Sequence, residues 1–165
     1  MNDLDFPPLI EVARRVSFRY HKLLIVAGPS RSGKTSLLKQ VAAHLHLPGV
    51  NFSLLLSQRL LSQTRRQRAL KAEEVAIEVI DEHIQSGLCL DNTELLFDST
   101  LRLNPLGFLQ DISRNRLILA SWNGDLTAGE LRFGYTGHPD FFSQAVSGYP
   151  VIIVAQDRLQ LYLTT

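Results

Sequence analysis

The stretch that most constrains this chain is 22–36, KLLIVAGPSRSGKTS. Residues 23–27 form a short apolar run with strand character, and 28–35 (GPSRSGKT) match the spacing G-x-x-x-x-G-K-[ST] of a phosphate-binding loop. An amphipathic helical pattern follows at once, with Leu37, Leu38, Val41, Ala42 and Leu45 on one face. Strand, glycine loop and helix in that order are the local structure the motif requires. Gly28 and Gly33 allow a tight turn that aims successive N–H groups at an anion, with Ser30, Arg31, Ser32 and Ser36 completing the expected cradle. The helix start adds the positive end of its dipole. In this reading Lys34 reaches the outer phosphates of a nucleotide and the Thr35 hydroxyl holds Mg²⁺, so ATP and Mg²⁺ are the expected ligands.

A second element lies at 88–97, LCLDNTELLF. Asp91 ends a short apolar strand, where it is expected to order Mg²⁺ through water. Many hydrolysing proteins of this kind carry Glu directly after that Asp; here the place is held by Asn92, which can orient a water but cannot take its proton. The next acid is Glu94, which serves as a base if the chain curls back after the strand. A further buried strand, 117–121 (LILAS), is followed by Trp122, Asn123 and Gly124. Asn123, with Ser121 behind it, is expected to sense the terminal phosphate. Arg114 and Arg116 sit at the start of that strand, away from the phosphate end. They read as surface charges, or as trans-acting arginines if an assembly brings that edge to a neighbour's site.

With 165 residues the chain has room for one core, and its formal net charge of +1 argues neither for nor against a nucleic-acid partner. One cysteine, Cys89, excludes an internal disulfide and a multi-cysteine metal site and suits a reducing compartment. No stretch is long and apolar enough for a membrane span, and the N-terminus lacks a signal-peptide pattern, so a cytoplasmic protein is expected.

Other segments read as follows. An extended lead-in at 5–8 precedes a helix at 9–20, whose end at Tyr20 and His21 either approaches a bound base or belongs to a covering helix. A second strand is expected at 50–56. The polar, basic run 57–71, with Arg59, Arg65, Arg66, Arg68 and Lys71, reads as a solvated helix face or as a contact surface for DNA phosphates or a subunit. Residues 72–86 are a helix stopped by Gly87, with His83 structural; Asn104 and Pro105 start another helix. A loop at 125–130, a short strand at 131–135, a turn at 137–140, a core strand at 150–155 and an edge strand at 159–163 complete the chain.

Strands alternating with helices predict an α/β fold of three layers around a mainly parallel five-stranded sheet with right-handed crossovers. The chain reads as one domain: a covering helix in 1–21, a nucleotide-binding core over 22–155 and an edge segment in 156–165. The two motifs and the strand count resemble P-loop NTPases of the RecA-like and AAA-like branch, in which an extra strand lies between the motif strand and the Asp strand. The chain stops soon after Ala155, so no full helical lid is expected, and a partner would complete the site.

A narrower resemblance rests on LDNTELLF, NPLGFLQ, SRNRLILASWNG and YTGHPDFF, read together across 22–142. These segments resemble BrxF, the family of small P-loop proteins of type 3 BREX anti-phage systems. The resemblance implies an ATP-binding component of a bacterial phage-defence and DNA-methylation complex; Asn92 after Asp91 leads us to expect slow hydrolysis, and the missing lid self-association into a homo-oligomer. The resemblance also implies action with other BREX proteins and with DNA or DNA-modifying partners, away from membranes. Two alternatives stand beside it: a nucleotide-dependent assembly switch that barely hydrolyses, and a small-molecule kinase. The kinase reading expects an arginine-rich lid, whereas 125–140 contains only Arg132.

Overall fold

Side-chain alternation along the buried strands sorts this chain into layers. The computed structural model describes residues 2–3, 6–155 and 158–163. In chain order, β1 (Asn2–Asp3) and α1 (Phe6–Val16) precede β2 (Leu23–Gly28), and the glycine loop leads into α2 (Lys34–His44). Then come β3 (Gly49–Asn51), α3 (Phe52–Leu60), α4 (Arg65–His83) and β4 (Gly87–Asp91). Two 3₁₀ turns, Glu94–Phe97 and Ser99–Leu101, lead to α5 (Pro105–Ile112) and β5 (Leu117–Asn123). The remainder is strands: β6 (Asp125–Thr127), β7 (Glu130–Phe133), β8 (Phe142–Ala145), β9 (Val151–Ala155) and β10 (Arg158–Tyr162).

The main sheet has seven strands in the order β1-β10-β9-β2-β5-β4-β3. Five successive strands, β9-β2-β5-β4-β3, pair in parallel out to the β3 edge, and β10 and β1 add antiparallel at the other. The parallel core is thus as the alternating pattern predicts, but the sheet has seven strands rather than the expected five, because β10 and β1 extend it past β9; β5 does lie between the motif strand β2 and the Asp91 strand β4. Both faces of this sheet are covered, as parallel sheets require. Leu24 and Val26 point to one face with Leu119, Ile152 and Val154, where α1 and α2 pack through Leu9, Ala13, Leu38 and Val41. Leu23, Ile25 and Ala27 point to the other with Ile118, Ala120 and Leu90, against α3, α4 and α5.

Several expectations need correction. The helix α1 begins at Phe6, because Pro7 and Pro8 fall in its first turn, where proline's missing N–H costs nothing. The strand expected over 50–56 ends at Asn51, whose side chain caps Leu54 N at 3.1 Å and starts α3. The helix expected from 72 starts at Arg65 instead, because Thr64 and Gln67 form a reciprocal capping box. Gly87 begins β4 rather than stopping that helix. The loop expected at 125–130 is a tight hairpin, with Ala128 and Gly129 both at positive φ between β6 and β7. Together with β8 it forms a second, three-stranded sheet. The segment 159–163 is not the edge, since β1 pairs outside it.

This small sheet is bolted to the main one through aromatics. Phe97 stacks on Phe133 at 3.9 Å and meets Trp122 edge-on at 4.8 Å, and Trp122 Nε1 donates to Arg132 O at 2.9 Å. Gly124 makes the close approach possible: a Cβ there would stand 1.9 Å from Arg132 O. Gly124→Ala should therefore cost about 2 kcal/mol or more, since the backbone must separate to admit the methyl. At Gly49 a Cβ would meet nothing nearer than 3.9 Å. Gly49→Ala should change stability by less than about 0.5 kcal/mol, with urea unfolding midpoints as the readout for both.

Candidate functional site

Parallel strands end on the same side, so the loop after β2 and the ends of β4 and β5 share one rim of the sheet. The register brings Gly28 opposite Asn123, and Leu90, just before Asp91, opposite Ala120. A cavity of about 140 Å³ opens between them, lined by Ser30, Arg31, Lys34, Thr35, Asp91, Asn92, Thr93, Glu94, Ser121 and Asn123. A wider basin of about 500 Å³ continues from it over Arg31, Ser32, Gly33, Lys34, Thr35, Ser36 and Lys39.

The loop itself is strained in the manner of an anion cradle. Arg31 has φ 62° and Gly33 φ 97°, and Gly33 N-caps α2 without any side-chain cap. The first N–H groups of that helix have no intrahelical acceptor by construction, and nothing from the cap residue satisfies them. Gly28 is needed for space, because a Cβ there would lie 2.7 Å from both Val154 O and Ser32 Oγ.

Lys34 is almost wholly buried, and its ammonium folds back onto the loop's own carbonyls. It donates to Gly28 O at 2.8 Å and Pro29 O at 2.6 Å, and lies 3.5 Å from Asn123 Oδ1 and Ser32 Oγ. Burial pulls its pKa below the usual lysine value, against the opposing attraction of Glu94 and Asp91.

Past Asp91 the chain does curl back. Asn92 adopts left-handed φ 51°, and its N–H donates to Asp91 Oδ1 at 2.9 Å. Its side chain turns outward to Asn51 Oδ1 at 3.1 Å, and its carbonyl accepts from Ser53 N at 2.9 Å. The return is pinned by Leu95 N donating to Ser53 Oγ at 2.9 Å and by buried Thr93 Oγ1 donating to Ser121 O at 2.6 Å. Glu94 thereby lies beside β5, where its Oε1 accepts from Asn123 Nδ2 at 3.0 Å. A continuous polar chain runs from Lys34 through Asn123 to Glu94.

The donor set fits Mg²⁺ bound to a polyphosphate. Thr35 and Asp91 line the same small cavity as oxygen donors, and among the described residues no group of three or more His, Cys, Asp or Glu forms a metal site by itself. A cation held here would take its remaining ligands from phosphate oxygens and water. Cys89 stays a core residue, its thiol pushed up to about 12 by burial.

The other expected residues fall elsewhere. Arg114 and Arg116 lie at the opposite end of β5, paired with Asp111 and Asp81 at 3.1 Å each. Tyr20 and His21 also lie at that end: His21 Nδ1 is 3.1 Å from Gln110 O, and the Arg114 guanidinium sits over the Tyr20 ring. That is about 20 Å from the loop at the rise of a six-residue strand, so this segment, which lies past the end of α1 at Val16 rather than within the expected helix, does not approach the cavity. The basic run splits. Arg59 pairs with Glu82, and Arg68 Nε donates to Leu60 O and Gln63 O at 2.9 and 3.0 Å, tying the α3–α4 junction. Arg65, Arg66 and Lys71 remain exposed. His83 is structural as expected, with Nδ1 2.8 Å from Val79 O.

Two contributors went unread in the sequence. Lys39 lines the basin one helical turn beyond Thr35, a spacing that i, i+4 adjacency would have flagged. Thr93 acts through a buried bond across strands, for which no local signal exists.

No family model and no curated protein matches the chain. Among solved structures, PCH-2 of C. elegans aligns over 74% of this chain at 22% identity and a TM-score of 0.41. The chain spans 37% of that protein's length.

The left-handed turn at Asn92 can be checked directly. Asn92→Val should cost about 1–3 kcal/mol, because a β-branched residue resists positive φ. Asn92→Gly should stay within about 0.5 kcal/mol of the parent, losing one exposed hydrogen bond and relieving the strain. Chemical denaturation of the two variants gives the comparison.

Proposed function

We propose that this chain binds ATP with Mg²⁺ at the rim formed by β2, β4 and β5 and hydrolyses it slowly. The observation that carries the reading is the meeting of Lys34, Thr35, Asp91, Glu94 and Asn123 around one cavity at the start of α2. Main-chain N–H groups of 30–36 and the α2 dipole hold the phosphates. The Lys34 ammonium exchanges its two loop carbonyls for phosphate oxygens. Thr35 would hold Mg²⁺ directly and Asp91 through water, and the ion would supply neutralisation of charge on the phosphates.

In the reaction, water attacks the γ-phosphorus and the bond to the β–γ bridging oxygen breaks, leaving ADP and phosphate. The Glu94 carboxylate accepts the proton of that water; the hydrogen bond from Asn123 Nδ2, which orients it, supports this role. The sheet order, with β5 between the motif strand and the Asp91 strand, supports the RecA-like and AAA-like arrangement for this domain. The BrxF-like segments support a setting in phage defence, where the chain would self-associate and act with other BREX proteins and with DNA or DNA-modifying partners in the cytoplasm. Arg114 and Arg116 act in trans in that assembly only if they leave Asp111 and Asp81.

A second reading, the non-hydrolysing assembly switch, is favoured by Asn92. That residue occupies the place directly after Asp91 and turns its amide away to Asn51. Calorimetry and phosphate release separate the readings. Lys34→Ala should weaken Mg·ATP binding by about 100-fold or more, from loss of a charge-assisted contact in a water-poor site. Glu94→Gln should bind ATP within about threefold of the parent and lose turnover by about 100-fold or more. Tight binding by the parent with no phosphate release above the Lys34→Ala background would instead establish the switch.

A further inference from the structure

We infer that a second cleft, away from the phosphate loop, binds the sugar–phosphate backbone of duplex DNA through Arg65, Arg66 and Arg102. This open cavity of about 750 Å³ lies between the start of α4 and the Ser99–Leu101 turn, and Ser99 and Thr100 line it with the arginines. No carboxylate lines it. It shares no residue with the cavity at the phosphate loop.

The three arginines are each placed against a local preference. Arg65 and Arg66 occupy the first turn of α4, which contains no acidic residue. Cations are disfavoured there, because the helix dipole already makes that end positive. Arg102 is held at φ 55°, a backbone conformation that suits Gly or Asn far better. The three also crowd like charges around one cleft. None makes an ion pair or side-chain hydrogen bond among the described residues, whereas the neighbouring Arg59 and Arg68 are both engaged. The acids bonded to the Ser99–Leu101 turn face its own groups: Asp98 Oδ1 accepts from Thr100 N and Oγ1, and Asp140 Oδ1 accepts from Ser99 N. Departures from local rules that coincide at one cavity, without structural return, mark a binding site.

The ligand chemistry follows from the donors. Guanidinium forks match phosphate oxygens in pairs, and a serine hydroxyl such as that of Ser99 donates to the same groups. The charges come from two separate elements across an open cleft, which suits a row of phosphates better than a single one.

The test is anisotropy of a fluorescein-labelled duplex DNA, without nucleotide, across a salt series. Leaving ATP out keeps the outcome independent of the phosphate-loop site. With three phosphates neutralised, affinity should fall about fortyfold between roughly 50 and 200 mM salt, a log–log slope of at least about 2.7. Arg102→Gly removes one guanidinium and suits the left-handed backbone, so the protein should stay folded by circular dichroism while the slope drops by about 0.9. Arg65→Gln and Arg66→Gln together should lower it by about 1.8. Arg158→Gln, the same charge change on β10, should leave the slope unaltered. An Arg102→Gly protein with the parent's affinity and slope would overturn the assignment. So would absence of DNA binding by folded parent protein at low salt, which would leave the cleft to an acidic protein surface.

Discussion

The arrangement of this molecule depends on β5 being hydrogen-bonded to β2 on one side and β4 on the other. Three parallel strands that end together put three unrelated loop starts on one rim, and every polar group of the candidate site leaves from one of them. Register matters as much as order. With Gly28 opposite Asn123, the Asn123 amide stands between Lys34 and Glu94. A slip of one residue would turn that side chain to the other face of the sheet and exchange the two hydrophobic layers as well. Burial of Leu24 and Val26 under α1 and α2, with Leu23 and Ile25 under α3 to α5, makes such a slip costly. The packing that stabilises the sheet therefore also aligns its rim.

Within that rim the Lys34 ammonium is the sharpest electrostatic compromise. It is buried enough that desolvation outweighs the pull of Glu94 and Asp91, and its direct partners are neutral carbonyls. Two such carbonyls take two of its three donors without neutralising its charge. A phosphate oxygen offers both a bond and an opposite charge in the same water-poor space, so exchange of partners is favourable in Coulomb terms. The carbonyls still have to be given up, and the measured affinity for a polyphosphate would reflect that difference rather than the whole new contact.

Local signals carried much of this into view. The glycine loop and the apolar strand ending in Asp91 are contiguous spellings, and both lie where their sequences indicate. Errors arose where tertiary partners decide. VNFSLLL has strand composition, yet Asn51 caps Leu54 and converts all but its first two residues to helix. That error concealed the site's supporting wall, because Ser53 and Asn51 at the start of α3 are what hold the turn after β4. The β6–β7 hairpin was hidden because its turn uses Ala128 at positive φ, an unusual residue for that conformation. Arg102 belongs to no basic run in sequence and joins Arg65 and Arg66 only through the packing of α4 on the Ser99–Leu101 turn.

The turn after Asp91 shows why spacing alone does not say which acid lines a cavity. In an extended continuation, side chains at 91 and 93 would share one face and 92 and 94 the other. The left-handed residue at 92 breaks that alternation: it sends its own side chain outward and reverses the chain. Thr93 then fastens the reversed segment to the end of β5, and Glu94 comes to Asn123. Asparagine at 92 is well suited to this conformation, since its short amide tolerates positive φ better than a longer carboxylate side chain would. The residue that weakens the case for hydrolysis when the chain is read letter by letter is thus the one whose backbone brings the next acid to the rim. Which carboxylate stands beside the phosphate cavity is determined here by the handedness of one residue, not by adjacency to Asp91.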